Sequence, residues 1–545
     1  MSEPERRVNL GGGRSTKPLR GLSLALPLLE IAILALGASL LARVALKPPV
    51  VRDFRTYLPW SAVVATAGLA ALVLAAWLVV RWPAVRHATA FATLAAIVFA
   101  RARAGTAYGR RRGWPAGSLG MAESFDAIGD RDYYRERARE YGPVFKTSQF
   151  GRPVACVHGL ELAREVLRDT EALAGATLPY NRFLPDGSLR YMGSRVHDEE
   201  APFFRAALSA VDLSRHEGIA RETCARMLAG LSARSIECPE GSAPRADLHG
   251  WVFIVLASIF WGLGPDDPRL VELDEAQRGL RLGRGGGPRW RRELRAGLDR
   301  INALMRARSA EPDLAVSGSD RANALGAVLA ADPNALDNPT RAHNLSLVFR
   351  LGLADSTSFL DWIVAMLGDH AEWQDRIRGE ARRAIGVRPE GRDTVAGRFV
   401  HETLRLEQSE YLYREVARPL TIAGHNIPRG WLLRVLVQES HRDPSIFPEP
   451  DTFDADRFAG AERSRREYSP FGVDDHGCMG VPIVHFLANV LLEEVCHGYD
   501  LRVLRQAPPE KGTRHRDHWR PGSSRRIRLT PLEADGPHGS AGSGS

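Results

Sequence analysis

The sequence of 545 residues contains only four lysines, so its positive charge comes almost entirely from arginine. Its 73 basic side chains exceed the 65 acidic ones, which gives a net charge of +8, but the two signs are interspersed through most of the chain. A nucleic-acid-binding protein usually concentrates its basic residues in a patch or stripe. We therefore expect no nucleic-acid partner.

Cysteine is also scarce, and an odd number of widely separated cysteines does not indicate a disulfide framework. We therefore expect the main domain to lie in a reducing compartment. The charged fraction of 25% and the mean hydropathy of −0.21 exclude a polytopic transporter that fills the whole chain. The cysteines are Cys156, Cys224, Cys238, Cys478 and Cys496.

Long apolar runs occur only near the start of the chain, at residues 21–42 and 56–80. The first run contains one charged residue, Glu30, the second contains none, and each can cross a hydrocarbon core of about 30 Å as a helix. Basic residues outside the pair of runs outnumber those between them, which favours cytoplasmic tails on both sides. A third run at residues 88–100 is too short to span and is expected to lie along the interface. We predict an anchor in the cell membrane, with the domain that follows it facing the cytoplasm.

The rest of the chain indicates one large helical domain. Amphipathic stretches at residues 130–141 and 160–168 dominate its beginning, and the strand-like segments are short. The predicted fold class is mainly α with small β-sheets, preceded by two transmembrane helices. The predicted divisions are a cytoplasmic tail at 1–20, the membrane anchor at 21–103, a linker at 104–121, the large helical domain at 122–505 and a disordered tail at 506–545.

One cysteine lies in a turn directly before an apolar helical pattern. The sequence FGVDDHGCMG covers residues 471–480, and the helical pattern follows at 481–495. At such a position, backbone N–H groups and the helix dipole favour the thiolate of Cys478 over the thiol. A thiolate is the axial ligand with which a heme iron favours O–O cleavage. The nearby histidines and cysteines do not have the paired spacing of zinc sites.

This stretch resembles the heme-binding loop of the cytochrome P450 family. That loop carries Phe seven residues before the cysteine, Gly four before, a basic residue two before and Gly two after. Phe471, His476 and Gly480 match around Cys478, whereas Asp474 stands where the family has Gly. The resemblance implies the P450 fold and heme b ligated by Cys478. The abundance of arginine, typical of a GC-rich genome, leads us to expect a bacterial member.

Three further motifs occur in the order that the family has. Glu402-Thr-Leu-Arg405 resembles its Glu-x-x-Arg helix motif, HRDP at 441–444 resembles its Asn-Arg-Asp-Pro turn, and Arg457 stands where its third partner is expected. Positions i and i+3 share a helix face, so the first two side chains can pair. The resemblance implies a structural cluster, and loss of one member would leave uncompensated charge and prevent heme incorporation.

The family's long central helix is best matched by residues 345–367. Within it, GLADST resembles the oxygen-activation motif, and Gly352 would leave room for dioxygen one turn before Ser356. The resemblance implies that Ser356 hydrogen-bonds the bound oxygen or a water and that Asp355 relays protons. Thr357 is the competing assignment for the hydroxyl, and either hydroxyl could instead bond back to its own helix.

The two heme propionates require cationic or hydrogen-bonding partners. The family pattern points to His476, to Arg414 before Gly424, and to an arginine on an early helix, for which PFFRAAL offers Arg205.

The function implied by the resemblance is that of a monooxygenase, which inserts one oxygen atom from dioxygen into a lipophilic organic substrate. Substrate contacts are expected from residues 175–196, Leu345 and Val348. Electrons would come ultimately from NAD(P)H through a ferredoxin or flavin reductase. Arg463, Arg465 and Arg466 could dock this donor, or they could simply form a solvated basic loop.

Two other functions stay open at this point. Asp474 and Asp475 add negative charge to the ligand loop, and serine replaces threonine at position 356. These departures could fit a heme-thiolate peroxygenase, isomerase or dehydratase. They could also fit a degenerate heme protein that serves as a membrane sensor.

Overall fold

The structure, a computed structural model, describes residues 113–119, 123, 127, 130–149, 152–176, 188–189, 194–280, 288–311, 322–383, 394–407, 412–460, 463–473, 477–511 and 519–533. The chain divides into one unit of residues 1–110 and 118–122 and another of residues 111–117 and 123–545, and nearly all described residues belong to the second unit. The predicted tail at 1–20, both predicted spans and the apolar run at 88–100 lie outside the described residues.

Helices dominate the described residues, which confirms the prediction of a mainly helical fold with small sheets. The helices are α1 Tyr133–Tyr141, α2 Leu160–Leu167, α3 Ser194–Ser209, α4 Glu217–Glu237, α5 Arg245–Trp261, α6 Arg269–Gly279, α7 Pro288–Ser309, α8 Ala324–Ala331, α9 Pro339–Asp369, α10 Glu372–Arg383, α11 Val395–Glu407, α12 Val437–Ser440 and α13 Val481–Gly498. Among the described residues, no helix combines the length and the apolar character that crossing a membrane requires.

Helix α9 runs through the main hydrophobic core and contains the predicted central helix. Asn338 caps its start, because the side-chain oxygen accepts the backbone N–H of Thr340 at 3.0 Å, and Pro339 occupies the first helical position. The helix packs against α5, α11 and α13. It is buried along most of its length, so it brings the GLADST segment into the interior of the domain.

The strands of the described residues are β1 Ala116–Gly117, β2 Val144–Gln149, β3 Arg152–His158, β4 Leu173–Gly175, β5 Leu412–Val416, β6 Leu420–Ile422, β7 His425–Ile427, β8 Leu432–Leu436, β9 Tyr499–Arg505, β10 Glu510–Lys511, β11 Trp519–Arg520 and β12 Arg526–Pro531. The largest sheet among these residues has six strands in the order β1-β2-β3-β8-β5-β4. Strands β2 and β3 form an antiparallel pair, and β8 joins β3 in parallel and β5 in antiparallel orientation.

The structure corrects the predicted division at residue 505. Strand β12 lies in the segment expected to be a disordered tail, yet it pairs antiparallel with β9. Its Ile527 and Leu529 are buried, and the Leu529 backbone N–H and carbonyl bond to the hydroxyls of Ser235 and Ser232 on α4. The catalytic domain therefore extends to at least residue 531, because these apolar side chains complete the core above α4.

The predicted linker at 104–121 also contributes to the domain. Its residues Ala116 and Gly117 form β1, which pairs in parallel with β2. Gly117 has a φ of +105°, and a Cβ atom at this position would lie 2.2 Å from the Lys146 carbonyl oxygen. Only glycine allows this close approach of the two strands, so this end of the segment is part of the sheet.

Candidate active site

The candidate ligand loop closes on itself just before α13. The backbone N–H of Cys478 donates to the Phe471 carbonyl at 2.8 Å, and the N–H of Gly480 lies 3.3 Å from the Cys478 sulfur. Gly480 is the N-cap of α13, so the sulfur lies at the positive end of that helix. The structure thus brings together Phe471, Cys478 and Gly480, whereas His476 and Asp474 lie outside the described residues.

Exposure separates Cys478 from most of the other cysteines. Cys156, Cys224 and Cys496 are buried, and burial raises the pKa of each thiol, that of Cys496 to about 12. Such thiols are poor ligands because the thiolate is the form that binds a metal. Cys238 and Cys478 are exposed, but only Cys478 of these two lies at the start of a helix.

A contact from α2 that no sequence pattern predicted also holds the ligand loop. The guanidinium of Arg164 donates to the Val473 carbonyl at 2.8 Å, across 309 positions of sequence. The Phe471 ring packs edge-on against His485 of α13, with ring centroids 5.6 Å apart. The loop is therefore held at both of its ends before any cofactor is considered.

The Glu402, Arg405 and Arg457 side chains meet in the structure. Arg405 forms two hydrogen bonds of 2.7 Å to the Glu402 carboxylate, and Arg457 donates to the same carboxylate at 3.1 Å. Glu402 and Arg405 are 0% exposed. Arg405 also donates to the backbone carbonyls of His441, Pro450 and Thr452, so the cluster ties α11 to the segment that leads to the ligand loop.

The two hydroxyls in the GLADST segment differ in their hydrogen bonds. Thr357 donates to the Leu353 carbonyl of its own helix at 2.7 Å. Ser356 is buried, and its hydroxyl makes no hydrogen bond within the part of the chain that the structure describes. Asp355 is half-buried next to it.

Gly352 lies one turn before Ser356 on the same face of α9. A Cβ atom at Gly352 would lie 3.8 Å from a methyl group of Leu256 and would meet no closer neighbour there. A methyl group at Gly352 would therefore make an ordinary van der Waals contact, and the glycine leaves that volume unfilled one turn before Ser356. Of the residues expected to contact substrate, Leu345 is buried in the core and Val348 packs partly buried against it. Most of the expected stretch at 175–196 lies outside the described residues.

The two candidate propionate partners lie on different elements. Arg414 is buried on β5, paired across the sheet with Leu433 of β8, and donates to the Tyr413 carbonyl at 2.9 Å. Arg205 is half-buried on α3. Of the arginines expected to dock a reductase, Arg463 is half-buried and its guanidinium lies 4.7 Å from the centroid of the Phe447 ring.

These groups fit a heme. Helix α13 presents the exposed Cys478 sulfur at its start, and α9, which packs against α13, presents the buried Ser356 and the space left by Gly352. A thiolate ligand on one element and a small residue with a hydroxyl on another are the groups that a heme-thiolate site requires.

Comparisons with known proteins agree with this geometry. The family model described as Cytochrome P450 matches residues 293–518, which include the Glu402 cluster and the ligand loop. Abscisic acid 8'-hydroxylase 1 of Oryza sativa subsp. japonica is 27% identical over 433 residues, which cover 71% of this chain and 84% of that protein. Putative cytochrome P450 120 of Synechocystis sp. is 25% identical over 422 residues, which cover 72% of this chain and 91% of that protein.

Solved structures match the fold over most of the described domain. A retinoic-acid-bound cyanobacterial CYP120A1 has a TM-score of 0.62 at 22% identity and covers 78% of this chain and 100% of its own. A zebrafish cytochrome P450 with progesterone has a TM-score of 0.61 at 18% identity and covers 73% of this chain and 98% of its own. The family model, the relatives and the fold together support a cytochrome P450, a family of heme-dependent monooxygenases.

Proposed function

We propose that the protein is a membrane-anchored heme-thiolate monooxygenase in which Cys478 is the axial ligand of a heme b iron. It would insert one oxygen atom from dioxygen into a lipophilic organic substrate. The observation that carries this proposal is the Cys478 sulfur at the start of α13, which accepts the Gly480 N–H. Backbone donors and the helix dipole stabilise a thiolate at that position.

The bound heme would supply the activation of dioxygen, and the chain supplies the groups around it. Cys478 provides the negatively charged ligand. Of the two candidate hydroxyls, that of Thr357 already donates its proton to the Leu353 carbonyl. Ser356 Oγ is therefore the one that can hold a water or pass a proton. Asp355, half-buried beside it, can exchange that proton with solvent. Arg414 and Arg205 would neutralise the heme propionates.

A lipophilic substrate fits the relatives and the sequence. Names of the matched proteins refer to abscisic acid, ent-kaurenoic acid and retinoic acid, each a carboxylic acid on a largely hydrocarbon skeleton. The two apolar runs at 21–42 and 56–80 are long enough to place the enzyme at the cell membrane, where such molecules partition. The catalytic domain would face the cytoplasm, with a ferredoxin or flavin reductase delivering electrons from NAD(P)H.

The test of ligation is the difference spectrum of the reduced, carbon-monoxide-bound protein, purified in detergent as the full chain. Wild type should show the strongly red-shifted Soret band of a thiolate complex, and Cys478→Ala should lose it. Cys238→Ala is the matched control, because that cysteine is also exposed but lies at the end of α4. An imidazole-like band in wild type, or retention of the band in Cys478→Ala, would refute ligation by Cys478.

Turnover separates the monooxygenase from other heme-thiolate chemistry. Oxidation of retinoic acid as a probe should require a reductase system and dioxygen. Turnover supported only by peroxide would instead indicate a peroxygenase.

Membrane anchoring requires a separate test. The full chain should stay with the membrane fraction after an alkaline carbonate wash, and release into the supernatant would contradict an integral anchor.

A further inference from the structure

His441 lies between the Glu402 cluster and the ligand loop. It is the first residue of the HRDP turn, directly after α12, and it is fully buried. Its backbone carbonyl accepts a hydrogen bond of 3.1 Å from Arg405. That bond depends on the backbone of residue 441, so it survives any replacement of the side chain except one that moves the chain.

The imidazole ring of His441 makes a second, separate contact. Its Nε2 atom accepts the backbone N–H of Ser469 at 3.0 Å. Burial and the neighbouring Arg405 charge lower the pKa of His441 to about 3, so the ring is neutral at ordinary pH. A neutral ring that accepts at Nε2 carries its proton on Nδ1. The ring is packed against Tyr468, with centroids 5.0 Å apart.

From Ser469 the hydrogen bonds continue to the candidate ligand. The Ser469 hydroxyl donates to the Gly472 carbonyl, and the Gly472 N–H returns to the Ser469 carbonyl at 3.3 Å. The adjacent residue, Phe471, accepts the Cys478 N–H at 2.8 Å. A short path of hydrogen bonds and one peptide bond therefore joins the His441 ring to the backbone of Cys478.

We propose that His441 is a positioning residue for the heme ligand. Its ring fixes the start of the ligand loop to the buried Glu402 cluster, and this holds Cys478 at the distance and orientation that thiolate ligation needs. This proposal rests on the proposed function, because it assumes that Cys478 ligates the iron. It adds to that function a role for the Nε2 atom of the His441 ring, whereas the Glu402 cluster contacts only the backbone carbonyl of His441.

The decisive comparison is between His441→Gln and His441→Leu in the full-length holoprotein. Gln places an acceptor near the position of Nε2, whereas Leu has a similar volume and no acceptor. Phe447→Leu is the control for loosened packing, because the buried Phe447 ring faces His441 with centroids 6.4 Å apart and makes no hydrogen bond to the loop. The readouts are the thiolate fraction of the carbon monoxide complex, its rate of conversion to the non-thiolate form, and the midpoint potential of the iron.

In His441→Leu, the carbon monoxide complex should convert to the non-thiolate form about fivefold faster or more, because the buried N–H of Ser469 loses its acceptor. The midpoint potential of the iron should also shift. His441→Gln and Phe447→Leu should stay near the wild-type rate, even where their melting temperature falls. Ser469→Ala breaks the next step of the path and should convert faster than wild type, which tests the proposal if His441→Leu does not fold. A wild-type rate in His441→Leu, or equal rates in the Gln and Leu variants, would overturn the proposal. Absence of a thiolate band in wild type would refute the proposed function instead.

Discussion

Replacement of Glu402 by glutamine should be among the most destabilising conservative changes in the domain. The carboxylate receives four N–H groups, two from Arg405 at 2.7 Å, one from Arg457 at 3.1 Å and one from the Asp454 backbone at 2.9 Å. The amide of glutamine keeps one acceptor oxygen but turns an NH2 group toward an arginine, and the two guanidinium charges lose their partner. Breaking a buried pair in this way costs about 3–5 kcal/mol. That is a large share of the roughly 5–15 kcal/mol that separates folded from unfolded states.

Urea titration of purified protein measures this loss, with Glu222→Gln as the matched control. Glu222 accepts from Arg226 at 2.8 Å on α4, but their side chains are 66% and 59% exposed, so the same substitution should cost about 0.5 kcal/mol or less. The heme content of the two variants should follow the same order. If Glu402→Gln lowers the free energy of unfolding no more than Glu222→Gln does, the reasoning from buried charge is wrong.

Three further changes test the other side of the site and the buried ring. Gly352→Ala should raise the free energy of unfolding by up to about 1 kcal/mol, because alanine has a higher helix propensity than glycine. It should nevertheless slow turnover, because the methyl group fills the volume left one turn before Ser356. Unchanged turnover would refute a role of Gly352 in leaving that volume open. Ser356→Ala should lower the product formed per electron consumed several-fold, whereas Thr357→Val should leave that ratio unchanged, and the reverse order would make Thr357 the working hydroxyl. On lowering the pH from about 7 to 5, wild type should lose about 2 kcal/mol more unfolding free energy than His441→Gln. The reason is that unfolded histidine, with an ordinary pKa of 6.5, takes up a proton that folded His441, with a pKa of about 3, does not; equal losses would contradict the lowered pKa.

Contacts between residues close in sequence could be anticipated from spacing. Glu402 and Arg405 are three positions apart on one helix, so their pairing follows from helix geometry once a helix is assumed. The position of Cys478 before an apolar helix likewise predicts the approach of a backbone N–H to its sulfur, and Gly480 provides it.

Contacts between distant segments left no such signal. The bond from Arg164 to Val473 depends on how α2 packs beside the ligand loop, and nothing in an exposed-looking helical arginine indicates it. Strand β12 was missed for a different reason, since its six residues follow a polar stretch and only Ile527 and Leu529 face the core. The choice between Ser356 and Thr357 also required the structure, because neighbouring residues on a helix point about 100° apart and only the packed orientation decides which of them can bond back.

The two sides of the candidate site are held in different ways, and this difference predicts how substitutions act. The ligand loop is fixed from three elements, through Arg164 on α2, His441 after α12 and Gly480 at the start of α13. Changes there should act mainly through ligation and stability, since each removes a contact that other buried groups depend on. The other side of the candidate site, with Asp355 and Ser356, lies on one helix, α9. The serine side chain lacks the β-methyl of threonine and so rotates more freely about χ1. A change at Ser356 should therefore leave the fold intact and alter how protons reach the reaction.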